Sequence, residues 1–172
     1  PQAQYMSDVP RPTRSAHALI SSWLESDLSN LPQAPLDALR AHLAAASTTP
    51  MDVQLVHGDF RAANVLTRGT QVIAVLDFEE MRFDSPVGEL ARSAVMLGTL
   101  FHDWGPVSPQ VHEALLEGYE NVRPLSEAER SWWHPLLLWW SLLMVPISGD
   151  DPTGWGRAAE RLTRVLNSVE ER

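Results

Sequence analysis

Apolar residues recur at helical spacing in the first third of the chain, over residues 15–28 and 36–46. Positions three and four apart form one apolar face, so both segments are predicted to be amphipathic helices. Pro35 suits the first turn of the second helix, where its missing N–H costs little. Residues 1–13 are mostly polar with three prolines, which predicts an extended lead-in or linker.

Three short apolar runs follow and are predicted to be β-strands, at residues 53–56, 64–67 and 71–76. An Arg-Gly dipeptide between the last two runs is a turn signal, so these two runs are predicted to pair as a hairpin. Residues 78–85 contain several acidic side chains and are predicted to form a loop.

The rest of the chain is predicted to be helical, from a helix that begins at Pro86 to a last one over residues 158–169. A loop with two solvated aspartates is expected at residues 149–154. Ser126 and Glu129 have the Ser-x-x-Glu form of a capping box, which predicts a helix start. The helix that follows carries four Trp and is apolar nearly all round, so it should be buried. Its apolar run is shorter than the ~20 residues that a bilayer needs, and a membrane span is not expected.

The order of these elements predicts a mainly α protein with a small β-hairpin region, an α+β fold in one domain. The net charge of −9 argues against non-specific binding of nucleic acid, which needs a basic surface. The absence of Cys excludes disulfide and thiolate chemistry and fits a reducing compartment, so a cytoplasmic location is expected. The chain begins at Pro1 without a signal-peptide pattern, which favours a fragment or a processed chain.

Three side chains with oxygen atoms stand where the predicted strands give way to loops, within residues 55–80: Asp59, Asn64 and Asp77. Oxygen ligands are those that a hard cation such as Mg²⁺ prefers. Asn64 follows Asp59 by five positions, and Asp77 follows Asn64 by thirteen. This is the order and spacing of the kinase catalytic loop and metal segment, H-x-D-x-x-x-x-N followed by D-F-x.

The stretch HGDFRAANVL, followed by VLDFEE, resembles the family of aminoglycoside phosphotransferases, choline kinases and homoserine kinases, the small-molecule relatives of protein kinases. The later segment DSPVGELA is similar to the D-P-x-x-D-L-A element of that family. The resemblance implies the C-terminal lobe of a protein-kinase-like fold over residues 14–172. It places the catalytic loop and metal segment at residues 55–80 and a helical, acceptor-binding part at residues 86–172.

The implied activity is ATP-dependent transfer of a phosphoryl group to a hydroxyl of a small molecule, with Mg²⁺ and ATP as cofactors. On this resemblance Asp59 accepts the hydroxyl proton or orients the hydroxyl. Asn64 and Asp77 hold Mg²⁺ and through it the nucleotide phosphates. Arg61, two positions after Asp59, is expected to meet the γ-phosphate as charge develops, and an ordinary surface Arg is the alternative.

The resemblance also implies supporting residues around the loop. His57 is expected to support the loop fold rather than to act as a base. Glu89 stands where the family has an Asp that braces the catalytic-loop backbone. Glu79 or Glu80 is expected either to help hold a second metal or contact the substrate, or to be a solvated loop acid. The Trp-rich cluster at residues 132–140 is expected to belong to the core.

A kinase site also requires an ATP-binding lobe with a Gly-rich loop and a strand Lys. No Gly precedes Gly58, and the 56 residues before His57 contain no Lys. We therefore expect the N-terminal lobe to be absent from this chain and the 172 residues to be inactive alone.

Three interpretations of that absence stay open, and a fragment of a complete kinase is favoured. The alternatives are a non-catalytic kinase-like binding module and a metal-dependent phosphohydrolase. For the favoured case, the expected partners are a small-molecule hydroxyl acceptor and either the missing lobe or a second copy, bound on an exposed apolar face. The acceptor is left open between an amino alcohol, an aminoglycoside and another hydroxylated metabolite.

Overall fold

The computed structural model describes residues 15–100, 104–147 and 149–170. Within these residues the chain forms six α-helices, four short β-strands and one 3₁₀ turn at Ala62–Asn64. The helices are α1 Ala16–Leu24, α2 Gln33–Ala45, α3 Pro86–Met96, α4 Pro109–Glu120, α5 Glu127–Leu143 and α6 Trp155–Glu170. The strands are β1 Gln54–Val56, β2 Val65–Arg68, β3 Gln71–Val75 and β4 Arg82–Asp84.

The strands form two separate antiparallel pairs. Strands β2 and β3 make the predicted hairpin, and Gly69 in its turn adopts a positive φ of 60°. Strand β1 pairs with β4, so that Gln54 lies opposite Asp84 and Val56 opposite Arg82. The second pair brings the chain back beside β1 directly before α3 begins.

Helix α5 lies at the centre of the core and packs against α2, α3 and α6. Its capping box is confirmed, because the Ser126 hydroxyl accepts from the Glu129 N–H and the Glu129 carboxylate accepts from the Ser126 N–H. The side chains that α5 buries are mainly Trp and Leu: Trp132, Trp133, Leu136, Leu137, Leu138 and Leu142. Full burial of each such side chain stabilises the fold by roughly 1.5–3 kcal/mol, so this helix organises the other helices.

Glu129 is a buried charge in this core, only 1% exposed. Its carboxylate accepts a hydrogen bond of 2.8 Å from Arg123 Nη2 besides those of the cap. Burial raises the pKa of the Glu129 carboxyl, but the hydrogen bonds from Arg123 and Ser126 outweigh it and leave the pKa below its usual range. The paired carboxylate therefore stays ionised inside the fold.

The prediction of a mainly helical chain with a small β region is confirmed, and each predicted helix has its counterpart. The prediction that residues 78–85 form only a loop is wrong, because β4 lies within them. This strand is three residues long and carries two charges, so it has no apolar alternation and depends on pairing with β1. The linker predicted for residues 1–13 lies outside the described residues.

Two further local predictions need correction. The strand predicted over residues 64–67 begins one residue later, because Asn64 ends the 3₁₀ turn that precedes β2. Asp151, expected to be solvated, accepts hydrogen bonds from the backbone N–H groups of Gly154, Trp155 and Gly156, and so caps the start of α6. The expectation of a core Trp cluster is confirmed in part, since Trp139 and Trp140 are only half-buried.

No helix among the described residues combines the length and the apolar character needed to cross a membrane.

Candidate active site

His57 joins the loop that follows β1 to the segment that follows β3. One ring nitrogen, Nε2, donates to the Leu76 carbonyl at 2.8 Å, and Nδ1 accepts from the Asp59 N–H at 3.2 Å. The carbonyl can only accept and the N–H can only donate, so the neutral ring with its proton on Nε2 satisfies both. The ring also packs against Phe78, with 4.8 Å between ring centroids. His57 therefore links the two segments through both of its ring nitrogens.

Gly58 is required by the close approach of two loops. Its φ is +83°, and a Cβ at this position would lie 2.1 Å from the Glu80 carbonyl oxygen. Its N–H donates to Glu89 Oε1 at 3.0 Å. The Glu89 side chain, which begins on the first turn of α3, therefore reaches the loop backbone. It does so although it is longer than the Asp of the D-P-x-x-D-L-A element that this segment resembles.

Asp59 is held by three side-chain donors. Its Oδ2 accepts from Arg61 Nε at 2.9 Å and from Asn64 Nδ2 at 2.9 Å, and its Oδ1 accepts from Arg92 Nη2 at 3.0 Å. Burial raises the pKa of the Asp59 carboxyl, but the hydrogen bonds and charges of Arg61 and Arg92 outweigh it, so the pKa lies below its usual range. Asp59 is therefore ionised at neutral pH.

Asn64 connects Asp59 to the segment that carries Asp77. Besides its bond to the carboxylate, Asn64 Nδ2 donates to the Asp59 carbonyl at 2.8 Å. The Asn64 main-chain carbonyl accepts from the Leu76 N–H at 2.8 Å, one residue before Asp77. Asn64 is only 6% exposed, so its position is fixed by the surrounding fold.

Asp77 adopts a φ of +65°, the one positive value outside glycine among the described residues. This left-handed conformation is uncommon for a residue with a side chain and costs of order 1–3 kcal/mol. Asp77 is exposed and lies two residues after the end of β3. Strain of this kind concentrates at functional sites, which is consistent with the ligand role predicted for Asp77.

The donor atoms of Asn64 and Asp77 fit a magnesium ion. The Asn64 amide nitrogen is hydrogen-bonded to Asp59, so its side-chain carbonyl is the atom that suits a metal, and Asp77 adds a carboxylate. Mg²⁺ is commonly bound through one or two such oxygens, with water and substrate phosphates completing its coordination. Glu79 and Glu80 are exposed on the same loop. Across the described parts of the chain, no three His, Asp or Glu side chains gather as a metal site.

Arg61 lies beside Asp59, and its guanidinium stacks over the Trp104 ring, 5.2 Å from the centroid. Sequence reasoning missed Arg92, which approaches Asp59 from α3 and stacks over the Trp140 ring at 5.5 Å. The available signal was its spacing: Arg92 follows Glu89 by three positions on a predicted helix, so both side chains share one face.

The close contact at Gly58 leads to a stability prediction with a matched control. Gly69 also has a positive φ, but no atom lies within 4 Å of the position its Cβ would take. Gly69→Ala is expected to lower the free energy of unfolding by about 1 kcal/mol, from backbone strain alone. Gly58→Ala adds steric overlap with the Glu80 carbonyl and should lower the free energy of unfolding by roughly 2–5 kcal/mol.

Urea unfolding of the two variants and the parent chain measures both values. Equal losses at the two glycines would contradict the packing described for Gly58.

Comparison with known proteins identifies the family but gives no curated relative. A search of curated proteins finds no significant match to this chain. The model of the phosphotransferase enzyme family, APH, matches residues 2–133. The matched residues include both β pairs, the loop from His57 to Asn64 and the first turns of α5, and the match agrees with the resemblance carried by the central motif. The chain belongs to the phosphotransferase enzyme family.

Proposed function

We propose that this chain carries the acceptor- and metal-binding half of a kinase site, which transfers the γ-phosphoryl group of ATP to a hydroxyl of a small molecule. One observation carries the proposal. Asn64 binds Asp59 through its side chain and, through its main-chain carbonyl, the segment that ends at Asp77. The base and the two proposed metal ligands therefore form one connected unit, as phosphoryl transfer requires.

Asp59 acts on the acceptor in this proposal. Its carboxylate is ionised and partly buried, with its side chain 16% exposed, so it accepts the hydrogen bond of an incoming hydroxyl and directs the oxygen toward the γ-phosphorus. As the new O–P bond forms and the bond to the ADP oxygen breaks, the hydroxyl proton passes to Asp59. Arg61, beside it, supplies positive charge to the transferred phosphoryl group.

The metal-binding residues of the proposal are Asn64 and Asp77. Mg²⁺ bound there would neutralise charge on the nucleotide phosphates. Asn64 is buried and its amide is hydrogen-bonded to Asp59, so its side-chain oxygen is held in place before the metal binds, while the exposed Asp77 supplies the carboxylate.

The assignment to the C-terminal lobe of a kinase-like fold is part of the same proposal, and exposed apolar side chains support it. Six large apolar side chains along the hairpin and the Asp77 loop are exposed: Leu66, Val72, Ile73, Leu76, Phe78 and Met81. Leu76 and Phe78 flank the proposed metal ligand Asp77 in the chain, and an ATP-binding lobe would have to lie beside Asp77 to cover the nucleotide. We propose that the ATP-binding lobe covers these side chains.

The 172 residues alone are then expected to bind Mg-ATP weakly and to show no turnover. Isothermal titration with Mg-ATP and a coupled ADP assay with homoserine, choline and kanamycin as acceptors test this. Robust ATP-dependent phosphorylation of any of these alcohols by the isolated chain would contradict it.

In the complete gene product, Asp59→Asn is expected to lower kcat by at least ~10²-fold, because the amide can no longer accept the hydroxyl proton. Binding of Mg-ATP should stay within about twofold, since Asp59 is not a proposed metal ligand. Asp150→Asn, an exposed aspartate in the loop before α6, serves as the control and should leave both values unchanged. Loss of Mg-ATP binding in a folded Asp59→Asn variant would instead make Asp59 a metal ligand.

A further inference from the structure

Donors of the protein itself already occupy most of the hydrogen-bond acceptor positions of the Asp59 carboxylate. A carboxylate offers about four lone-pair positions, two on each oxygen. Oδ2 is used twice, by Arg61 and Asn64, and Oδ1 once, by Arg92. Among the described residues this leaves one position, on Oδ1, for the hydroxyl of an acceptor. The Arg92 contact therefore decides where that position points.

Of the three donors, Arg92 alone comes from outside the loop. Arg61 and Asn64 lie two and five residues after Asp59 and move with it. Arg92 lies on α3, whose neighbouring residues Ala91, Ala94 and Val95 are at most 1% exposed in the core. A donor on a packed helix fixes the position of the carboxylate relative to the core of the fold. Donors on the same loop cannot do this, because they move with the carboxylate.

The guanidinium of Arg92 is itself held in place. It stacks over the ring of Trp140 on α5, with 5.5 Å between its central carbon and the ring centroid. Such a cation–π contact is attractive and restricts the rotamers of a long side chain. The Arg92 side chain is only 18% exposed, so little solvent competes with its bond to Asp59.

Two side chains one turn apart on α3 thus reach the loop at successive residues. Glu89 accepts from the Gly58 N–H, and Arg92 donates to the Asp59 carboxylate. Glu89 Oε2 and Arg92 Nη1 are buried without a hydrogen-bond partner in the described part of the chain. A buried polar atom without a partner destabilises the fold, and such atoms are found at functional sites as well as where water or an ion binds.

We propose that Arg92 is a positioning residue, which holds the Asp59 carboxylate in one orientation from α3 and leaves one lone pair of Oδ1 directed at the acceptor hydroxyl. The proposal rests on the function proposed above for Asp59. Arg92 acts through Asp59, whereas Glu89 fixes the backbone of the preceding residue.

Crystal structures of the parent chain and of Arg92→Met test the positioning itself. Methionine keeps much of the length and packing on Trp140 but removes the donor. The Asp59 carboxylate is expected to leave its position by more than about 1 Å or to occupy several rotamers, while the backbone of residues 57–64 stays in place. An unchanged, single Asp59 rotamer would overturn the proposal. If Arg92→Met does not fold, Arg92→Gln, which is too short to reach Oδ1, gives the same comparison.

Kinetics of the complete gene product test the consequence, with Mg-ATP and water as the acceptor in an ATPase assay. Arg92→Met is expected to lower kcat by about 10–100-fold and to change KM for Mg-ATP by less than twofold, since nucleotide binding is untouched. Arg92→Lys should recover part of kcat. The control is Arg130→Met, which removes a surface pair with Glu120 and should change neither value.

Equal changes in KM and kcat, or an unchanged kcat, would overturn the positioning role. If the parent protein transfers no phosphoryl group under any condition, the proposed function fails, and the crystallographic comparison still decides the role of Arg92.

Discussion

The contact between α3 and the loop after β1 is the constraint on which the candidate site depends. Helix α3 packs against α5, and two of its residues, together with the residue that follows the helix, bind the loop. Glu89 accepts from the Gly58 N–H, Arg92 donates to Asp59, and the Leu97 carbonyl at the helix end accepts from the Ala62 N–H. Because apolar packing fixes the helix, these three hydrogen bonds fix the position of the loop relative to the core. The position of Asp59 in the site is thus tied to the helix that carries these anchors.

The same arrangement concentrates positive charge in an acidic protein. The chain has a net charge of −9, yet two guanidinium groups converge on the single carboxylate of Asp59. Each guanidinium also covers the face of an indole ring, Arg61 that of Trp104 and Arg92 that of Trp140. A planar guanidinium group can bind a carboxylate and stack on an indole ring at the same time, whereas the compact ammonium of Lys cannot. The Asp59 carboxylate is therefore ionised and held between two positive charges.

Much of this could be predicted from the sequence, because the signals were local or had fixed spacing. The capping box of α5 needs only Ser126 and Glu129, and the β2–β3 hairpin needs two apolar runs and a turn. The relation of Asp59, Asn64 and Asp77 followed from their spacing, and the structure brings the first two into contact. Strand β4 could not be predicted, since its pairing with β1 joins residues about thirty positions apart. Arg92 lies 33 residues after Asp59; its spacing places it on the same helix face as Glu89, but only the packing of α3 shows that this face meets Asp59.

The central claim is that Asn64 and Asp77 hold the metal of a phosphoryl-transfer site beside Asp59. Paramagnetic broadening of backbone amide signals by Mn²⁺-ATP, measured by NMR on the 172-residue chain, tests it most directly. The account predicts that broadening appears first at residues 59–64 and 76–78 and is weakened by Asp77→Ala. Broadening that begins instead at the acidic loop of Asp150, and that Asp77→Ala leaves unchanged, would contradict it.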